Sequence, residues 1–166
     1  HKPTDSYNFF KPDMSTDKKL LDDTLPTGTV DLDWSQRQRS VYWVGGADNS
    51  GKLMMIDQRD LPAKFDIVAH TDLPAVIHSI KIMLVRGAPA IGAAGAFGMA
   101  LAAIASPATD AESLLKDLSV AKQQLDDSRP TAVNLSWATA RLFELATLLS
   151  KSGLPFDKFR TILLNE

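Results

Sequence analysis

Three short runs of β-branched, aromatic and other apolar residues follow one another between residues 41 and 68. The first run covers residues 41–44 and the second residues 52–58, and the turn-forming residues 45–51 lie between them. This pattern is typical of a β-hairpin with a long loop. A third run, Phe65-Asp66-Ile67-Val68, alternates in polarity and predicts a strand that completes a small antiparallel sheet.

Apolar residues then recur at intervals of three and four, which predicts helices. Thr71-Asp72 offers a cap for the first helix, Pro74 suits its first turn, and its apolar stripe runs from Val76 to Met83 or Leu84. A last helical stretch begins at about Phe156, after a Gly-Leu-Pro breaker. Two helices before that breaker are marked by Leu114, Leu115, Leu118, Ala121 and Leu125, and by Leu135, Ala138, Leu142, Leu145 and Leu149.

Residues 87–109 contain no charged side chain, and alanine and glycine dominate them. Their length would allow a membrane span, but strongly apolar residues are few, so a buried helix is favoured. Gly92, Gly95 and Gly98 lie about one turn apart on one face of that helix, where a neighbouring backbone can approach closely. Each glycine lowers helix stability by about 1 kcal/mol relative to alanine, and dense packing must offset that cost.

The N-terminal residues 1–40 have no sustained apolar period and predict an extended or partly disordered arm. Residues 41–166 then form one domain of the α+β class, with a small three-stranded antiparallel sheet followed by a bundle of four or five helices. The chain looks truncated, because it begins with His1 and stops within a helical pattern. No targeting signal is visible, so we expect a cytoplasmic protein.

Composition excludes several classes of protein. Eighteen Lys and Arg residues against twenty Asp and Glu residues give a net charge of −2, so no global basic field attracts nucleic acid or anionic lipid. The chain has no cysteine, and therefore no disulfide, thiolate metal site or cysteine nucleophile. We expect neither a nucleic-acid partner nor a membrane partner.

Two arginines near helix starts carry the clearest chemistry. Arg86 precedes Gly87, Ala88 and Pro89, where a helix begins, and unobstructed backbone N–H groups at such a terminus bind anions. Arg129 stands in a similar Ser-Arg-Pro-Thr segment that opens the helix containing Leu135. Two such units in one small domain suggest bidentate recognition of a phosphate, although a single exposed arginine near a turn is common.

Other candidate sites are weaker. The glycines at 92, 95 and 98 match neither nucleotide-binding loop motif. His70 is interpreted as a strand-end residue and His78 as a half-buried helix residue, and no metal site or cofactor is expected. Asp57-Gln58 could supply an acid and an amide, or Asp57 could organise the following turn. Asn134 and Trp137 lie one turn apart and could line a pocket or join the core.

Three motifs in order resemble those of a known enzyme family. They are residues 56–62 (IDQRDLP), residues 85–92 (VRGAPAIG) and residues 129–135 (RPTAVNL), and the likeness covers roughly residues 41–150. The chain resembles the N-terminal half of methylthioribose-1-phosphate isomerases, which share a fold with ribose-1,5-bisphosphate isomerase and with regulatory subunits of the translation-initiation exchange factor. By this resemblance, Arg86, Gly87, Ala88 and Arg129 bind the substrate.

The resemblance implies an aldose–ketose isomerase of methionine salvage, and therefore of methionine biosynthesis, that converts 5-methylthioribose 1-phosphate to 5-methylthioribulose 1-phosphate without a redox cofactor. The family's catalytic Cys and Asp belong to a C-terminal Rossmann-like half that this chain does not reach. No catalytic residue is therefore assigned to it, and we expect it to grip a sugar phosphate without turnover, with that second half or a second copy as partner. The alternative is a non-catalytic interaction module akin to the exchange-factor subunits.

Overall fold

Three strands and five helices make up residues 39–45 and 51–165, the part of the chain described by the structure, a computed structural model. The predicted α+β class and the order of sheet before helices are confirmed. The predicted arm lies outside the described residues except for Arg39 and Ser40, and so do residues 46–50 of the hairpin loop predicted at residues 45–51. The described residues belong to one compact unit.

The sheet is antiparallel throughout, in the order β1 (Val41–Val44), β2 (Lys52–Ile56) and β3 (Ile67–His70). Tyr42 pairs with Met54 on one side of the central strand, and Ala69 pairs with Met54 on the other. The third strand begins two residues later than the alternation predicted, and Phe65 is exposed before it. The second strand ends at Ile56, since Asp57 turns the chain away.

The five helices alternate with short connections, and two of them have aspartate caps. Asp72 and Asp110 each accept a hydrogen bond from a backbone N–H three residues later, at 2.9 Å, which satisfies an otherwise unpaired donor of the first turn. The helices are α1 (Leu73–Lys81), α2 (Ala88–Ala105), α3 (Ala111–Ser128), α4 (Val133–Ser150) and α5 (Phe156–Leu164).

Helix α1 is shorter than its apolar stripe predicted. It ends at Lys81, because Met83 adopts a left-handed conformation with φ of 58°. The N–H of Met83 donates to Ile80 O at 3.2 Å, and the N–H of Leu84 donates to Ser79 O at 2.9 Å. These two bonds form a Schellman motif, in which the reversal of the chain satisfies carbonyls that the helix end leaves free.

Helix α2 is the centre of the domain. It packs against the other four helices and against β1 and β2, and Trp43 stacks on Phe97 with ring centroids 5.6 Å apart. Its length and apolar composition would also fit a membrane span, but the central helix of a soluble domain has the same length and composition when its neighbours cover it. The sequence-based preference for a buried helix agrees with this packing, since 44% of the helix is buried inside the domain.

The glycines of α2 permit the close approach that their spacing predicted. A Cβ atom on Gly92 would lie 2.9 Å from the backbone oxygen of Asn134, and one on Gly95 would lie 2.4 Å from Leu135 Cδ1. A Cβ atom on Gly98 would lie 3.1–3.3 Å from side-chain carbons of Leu125 and Val76. The contact at Gly92 therefore brings the backbone of α4 against α2 near the beginnings of both helices.

Candidate functional site

An open cleft of about 410 Å³ lies where helices α2 and α4 begin. Both arginines singled out from the sequence line it, together with Gly87 and Ala88. The structure therefore brings all four candidate residues into one cavity, as a shared anion site requires. The full lining is Met83, Arg86, Gly87, Ala88, Ile91, Arg129, Thr131, Ala132, Val133 and Asn134.

The two helices that begin at the cleft differ from the two with aspartate caps. Helix α2 begins after Gly87, whose φ is 88°, and α4 begins after Ala132; neither residue gives a side-chain hydrogen bond to the helix. Glycine adopts this left-handed φ without steric penalty. Both helix starts thus keep backbone N–H groups that no capping carboxylate occupies, and their dipoles favour an anion.

The backbone and side chain of Arg86 are held by neighbouring groups. Its N–H donates to Gln58 Oε1 at 3.2 Å, and its Nε donates to Met83 O at 3.3 Å. The N–H of Gln58 in turn donates to Leu84 O at 2.9 Å, so the end of β2 is tied to the segment before α2. The side-chain amide of Gln58, which the sequence offered as a candidate site group, therefore holds the backbone of Arg86 in place.

Arg129 lies at the C-terminal end of α3 and not in the first turn of α4. It is the C-terminal cap of α3, and its N–H donates to Asp126 O at 3.3 Å. Its carbonyl accepts from the N–H of Ala132 at 2.9 Å in a tight turn, and α4 begins only at Val133. The sequence predicts that residues 128–131 open the next helix; they instead end α3 and form the turn just before α4, whose N-terminal cap is Ala132.

The cleft is electrostatically positive. No acidic side chain lines it, and neither Arg86 nor Arg129 forms an ion pair with any other described residue. Arg86 is exposed and Arg129 is partly buried. Two guanidinium groups that form no ion pair with a described carboxylate, beside two uncapped helix starts, favour an anion such as a phosphate, which can accept several charge-assisted hydrogen bonds.

Asp57 is outside the cleft and holds a turn. Its carboxylate accepts from Arg59 N at 3.0 Å and forms an ion pair with Arg59 Nη2 at 2.6 Å. The side-chain hydrogen bond from Arg59 lowers the pKa of Asp57 to about 2, despite the opposing effect of burial. This carboxylate stays ionised at neutral pH, so the structure favours the turn interpretation over a proton-transfer role.

The described histidines do not form a metal site. His70 ends β3, as predicted, and is buried: its Nε2 lies 2.6 Å from Ser79 Oγ and its Nδ1 lies 3.3 Å from Leu53 O. Burial lowers the pKa of His70. His78 is exposed, so its predicted half-burial is wrong; the hydrophobic neighbours on its helix face the core instead. No cluster of metal-ligating side chains occurs in residues 39–45 and 51–165.

Sequence reasoning missed part of the cleft. Of the two residues that could line a pocket or join the core, Asn134 lines the cleft. Trp137 is exposed, and the Arg141 guanidinium lies over its ring, with Cζ 5.9 Å from the ring centroid. Met83 and Val133 also line the cleft. No local pattern in the sequence marks them as cleft residues, since the positive φ of Met83 is not a conformation that methionine favours.

Comparisons with known proteins agree with this architecture. Residues 84–166 match the family model described as "Initiation factor 2 subunit family". A methylthioribose-1-phosphate isomerase from Chloroflexus aurantiacus is 47% identical over 116 residues, which cover 70% of this chain and 32% of that protein. The chain spans about a third of the length of the curated relatives it matches.

Two solved structures share the fold. The 5-methylthioribose 1-phosphate isomerase from Pyrococcus horikoshii aligns with a TM-score of 0.69 and 37% identity, over 78% of this chain and 35% of that one. The translation initiation factor eIF-2B subunit delta from A. fulgidus aligns with a TM-score of 0.65 and 35% identity, over 76% and 34%. The matched motifs and the shared fold lead to one conclusion: this chain belongs to the initiation factor 2 subunit family.

Proposed function

We propose that this chain is the substrate-phosphate-gripping part of a cytoplasmic aldose–ketose isomerase that converts 5-methylthioribose 1-phosphate to 5-methylthioribulose 1-phosphate. Relatives of this name match about 70% of the chain at 47–51% identity. The observation that carries the proposal is that Arg86 and Arg129 line one cleft, to which the described residues contribute no acidic side chain. Gly87 and Ala88 add the backbone of an uncapped helix start.

The proposed substrate carries its phosphate on the anomeric carbon. Such a phosphate blocks simple ring opening, so hydrogen must be moved between C1 and C2 while the sugar phosphate is held in place. Arg86 and Arg129 supply two planar donors for the phosphate oxygens, and Gly87 lets the anion approach the backbone. Binding and orientation are the contribution of these residues, and we assign no cofactor to them.

The acid–base chemistry belongs to residues outside this sequence. The resemblance assigns it to a Cys and an Asp of a second half, and the 166 residues contain no cysteine. We therefore propose that the chain binds the sugar phosphate without turnover, and that the second half, or another copy of the protein, completes the site. With half of the contacts missing, the dissociation constant should be on the order of millimolar.

Titration of the chain with inorganic phosphate and with 5-methylthioribose 1-phosphate tests this proposal. The double variant Arg86→Ala/Arg129→Ala should weaken both by about tenfold or more, since two charge-assisted contacts are lost. Arg141→Ala is the matched control: it also removes an arginine, but Arg141 does not line the cleft. Identical titrations for the double variant and the unaltered chain would refute a phosphate site here.

A second function, a non-catalytic interaction module, is favoured by one surface. Val133, Trp137 and Leu148 are 75%, 63% and 68% exposed, and at 100° per residue they fall within about 60° of arc on α4. The translation-factor subunit from A. fulgidus also has this fold. Light scattering after size-exclusion chromatography separates the two functions: a monomer that binds phosphate supports the isomerase, whereas self-association without phosphate binding supports the module.

A further inference from the structure

Met83 has a backbone conformation that its residue type disfavours. Its φ of 58° makes it the only non-glycine residue with positive φ in the described ranges 39–45 and 51–165. It occupies the position of the Schellman motif where glycine is usual, since a Cβ atom in this conformation crowds the following carbonyl. Glycine would adopt this conformation without steric strain, so the presence of methionine indicates that its side chain has a function.

The strained residue lies in the cleft and is coupled to its anion site. Met83 lines the cavity and is 43% exposed, although its side chain is large and apolar. Its carbonyl accepts the hydrogen bond from Arg86 Nε at 3.3 Å, so the same turn orients the guanidinium and presents the thioether. Ile91 and Val133 are the other large apolar side chains in the lining.

We propose that Met83 is a specificity-determining residue, whose side chain receives the 5-substituent of a pentose 1-phosphate and favours a thioether or alkyl group over a hydroxyl. This inference rests on the proposed function. A pentose 1-phosphate carries its anion at C1 and its 5-substituent at the far end of the ring. A cleft with two guanidinium groups and three large apolar side chains matches such a two-ended ligand.

Methionine suits this role because its side chain is flexible and polarizable and adapts to an apolar ligand group. A hydroxyl at the same position would lose hydrogen bonds to water without gaining a partner from the methionine. Discrimination of about tenfold is typical of one small apolar group placed in an apolar pocket.

The test compares three ligands on the full 166-residue chain by NMR titration: inorganic phosphate, ribose 1-phosphate and 5-methylthioribose 1-phosphate. The unaltered chain should bind the methylthio compound about tenfold more tightly than ribose 1-phosphate. Met83→Gln keeps the length and the strained backbone but adds polarity, and Met83→Gly removes the side chain and relieves the strain. Both should reduce the preference to about threefold or less, whereas Met83→Leu should keep it.

Inorganic phosphate separates the role of the side chain from a merely structural one. Its affinity should change by less than about twofold in all three variants, because the phosphate contacts of Arg86 and Arg129 remain. A preference that is absent from the unaltered chain, or that survives in both Met83→Gln and Met83→Gly, overturns the inference while phosphate binding still supports the proposed function. If the variants lose phosphate affinity together with the preference for the methylthio compound, Met83 acts only by shaping the backbone turn. That result also overturns the inference. If no ligand binds even the unaltered chain, the proposed function fails and this inference fails with it.

Discussion

Replacement of Gly92 by alanine probes how the two sides of the cleft are held together. The new Cβ would lie 2.9 Å from the backbone oxygen of Asn134 and 3.4 Å from both its carbonyl carbon and its Cβ. Cβ atoms in proteins essentially never lie as close as 2.9 Å to another heavy atom, so either α2 or the start of α4 must shift. A backbone oxygen in the first turn of α4 cannot rotate aside, and the beginning of α4 must therefore move by a few tenths of an ångström.

Two opposing effects set the magnitude. Alanine is better than glycine inside a helix by about 1 kcal/mol. Overpacking against a backbone that cannot relax freely costs about 1–3 kcal/mol. The free energy of unfolding should therefore fall by roughly 1 kcal/mol. Phosphate affinity should fall by about three- to tenfold, because displacement of α4 moves one wall of the cleft relative to Arg86.

Gly98→Ala is the matched control on the same helix, where the new Cβ would face Leu125 and Val76 instead of α4. Its Cβ would meet only methyl groups, those of Leu125 at 3.1 and 3.3 Å and that of Val76 at 3.3 Å, and side chains can adjust by small rotations. It also lies away from the cleft lining. We expect a stability within about 1 kcal/mol of the unaltered chain and an unchanged phosphate affinity.

Urea denaturation and phosphate titration of both variants provide the measurement. The reasoning would be refuted if Gly92→Ala matched the unaltered chain in stability and affinity, or if Gly98→Ala weakened phosphate binding equally. In either result, the contact between the backbones of α2 and α4 would not be what fixes the width of the cleft.

Three further outcomes follow from buried and capping groups. Arg160→Ala should lower the free energy of unfolding by about 1–3 kcal/mol, because Nη2 of Arg160 donates to Ala103 O and Ile104 O at the end of α2; an unchanged urea midpoint would contradict this. Burial lowers the pKa of His70 from 6.5, so the unfolded chain binds a proton more readily than the folded chain does, and the free energy of unfolding should fall as the pH drops below about 6.5. The variant His70→Gln should reduce this dependence of stability on pH. The pKa of Asp57, lowered to about 2 from 3.8, should add a separate loss between roughly pH 4 and pH 2, absent in Asp57→Asn, as followed by thermal unfolding.

Local patterns were sufficient for most elements and for half of the candidate site. The intervals of apolar residues located the helices, and an aspartate before an apolar stripe predicted the cap that Asp72 supplies. Arg86 could be predicted as a residue next to a helix start because Gly87, Ala88 and Pro89 are consecutive, and α2 does begin there. These features depend on interactions between residues a few positions apart, which the order of side chains states directly.

The remaining features depend on contacts between distant segments. Arg129 joins Arg86 in one cleft because the start of α4 packs against α2, where Gly92 faces Asn134. These two contacting residues are more than forty positions apart in the sequence. Met83 enters the cleft because the end of α1 reverses in a left-handed turn that its residue type disfavours. The sequence by itself determined the helices, the sheet and the presence of two arginines suited to an anion; only the tertiary structure decided that they share a cavity, because the distance between them is set by packing across the core and not by any local preference of the chain.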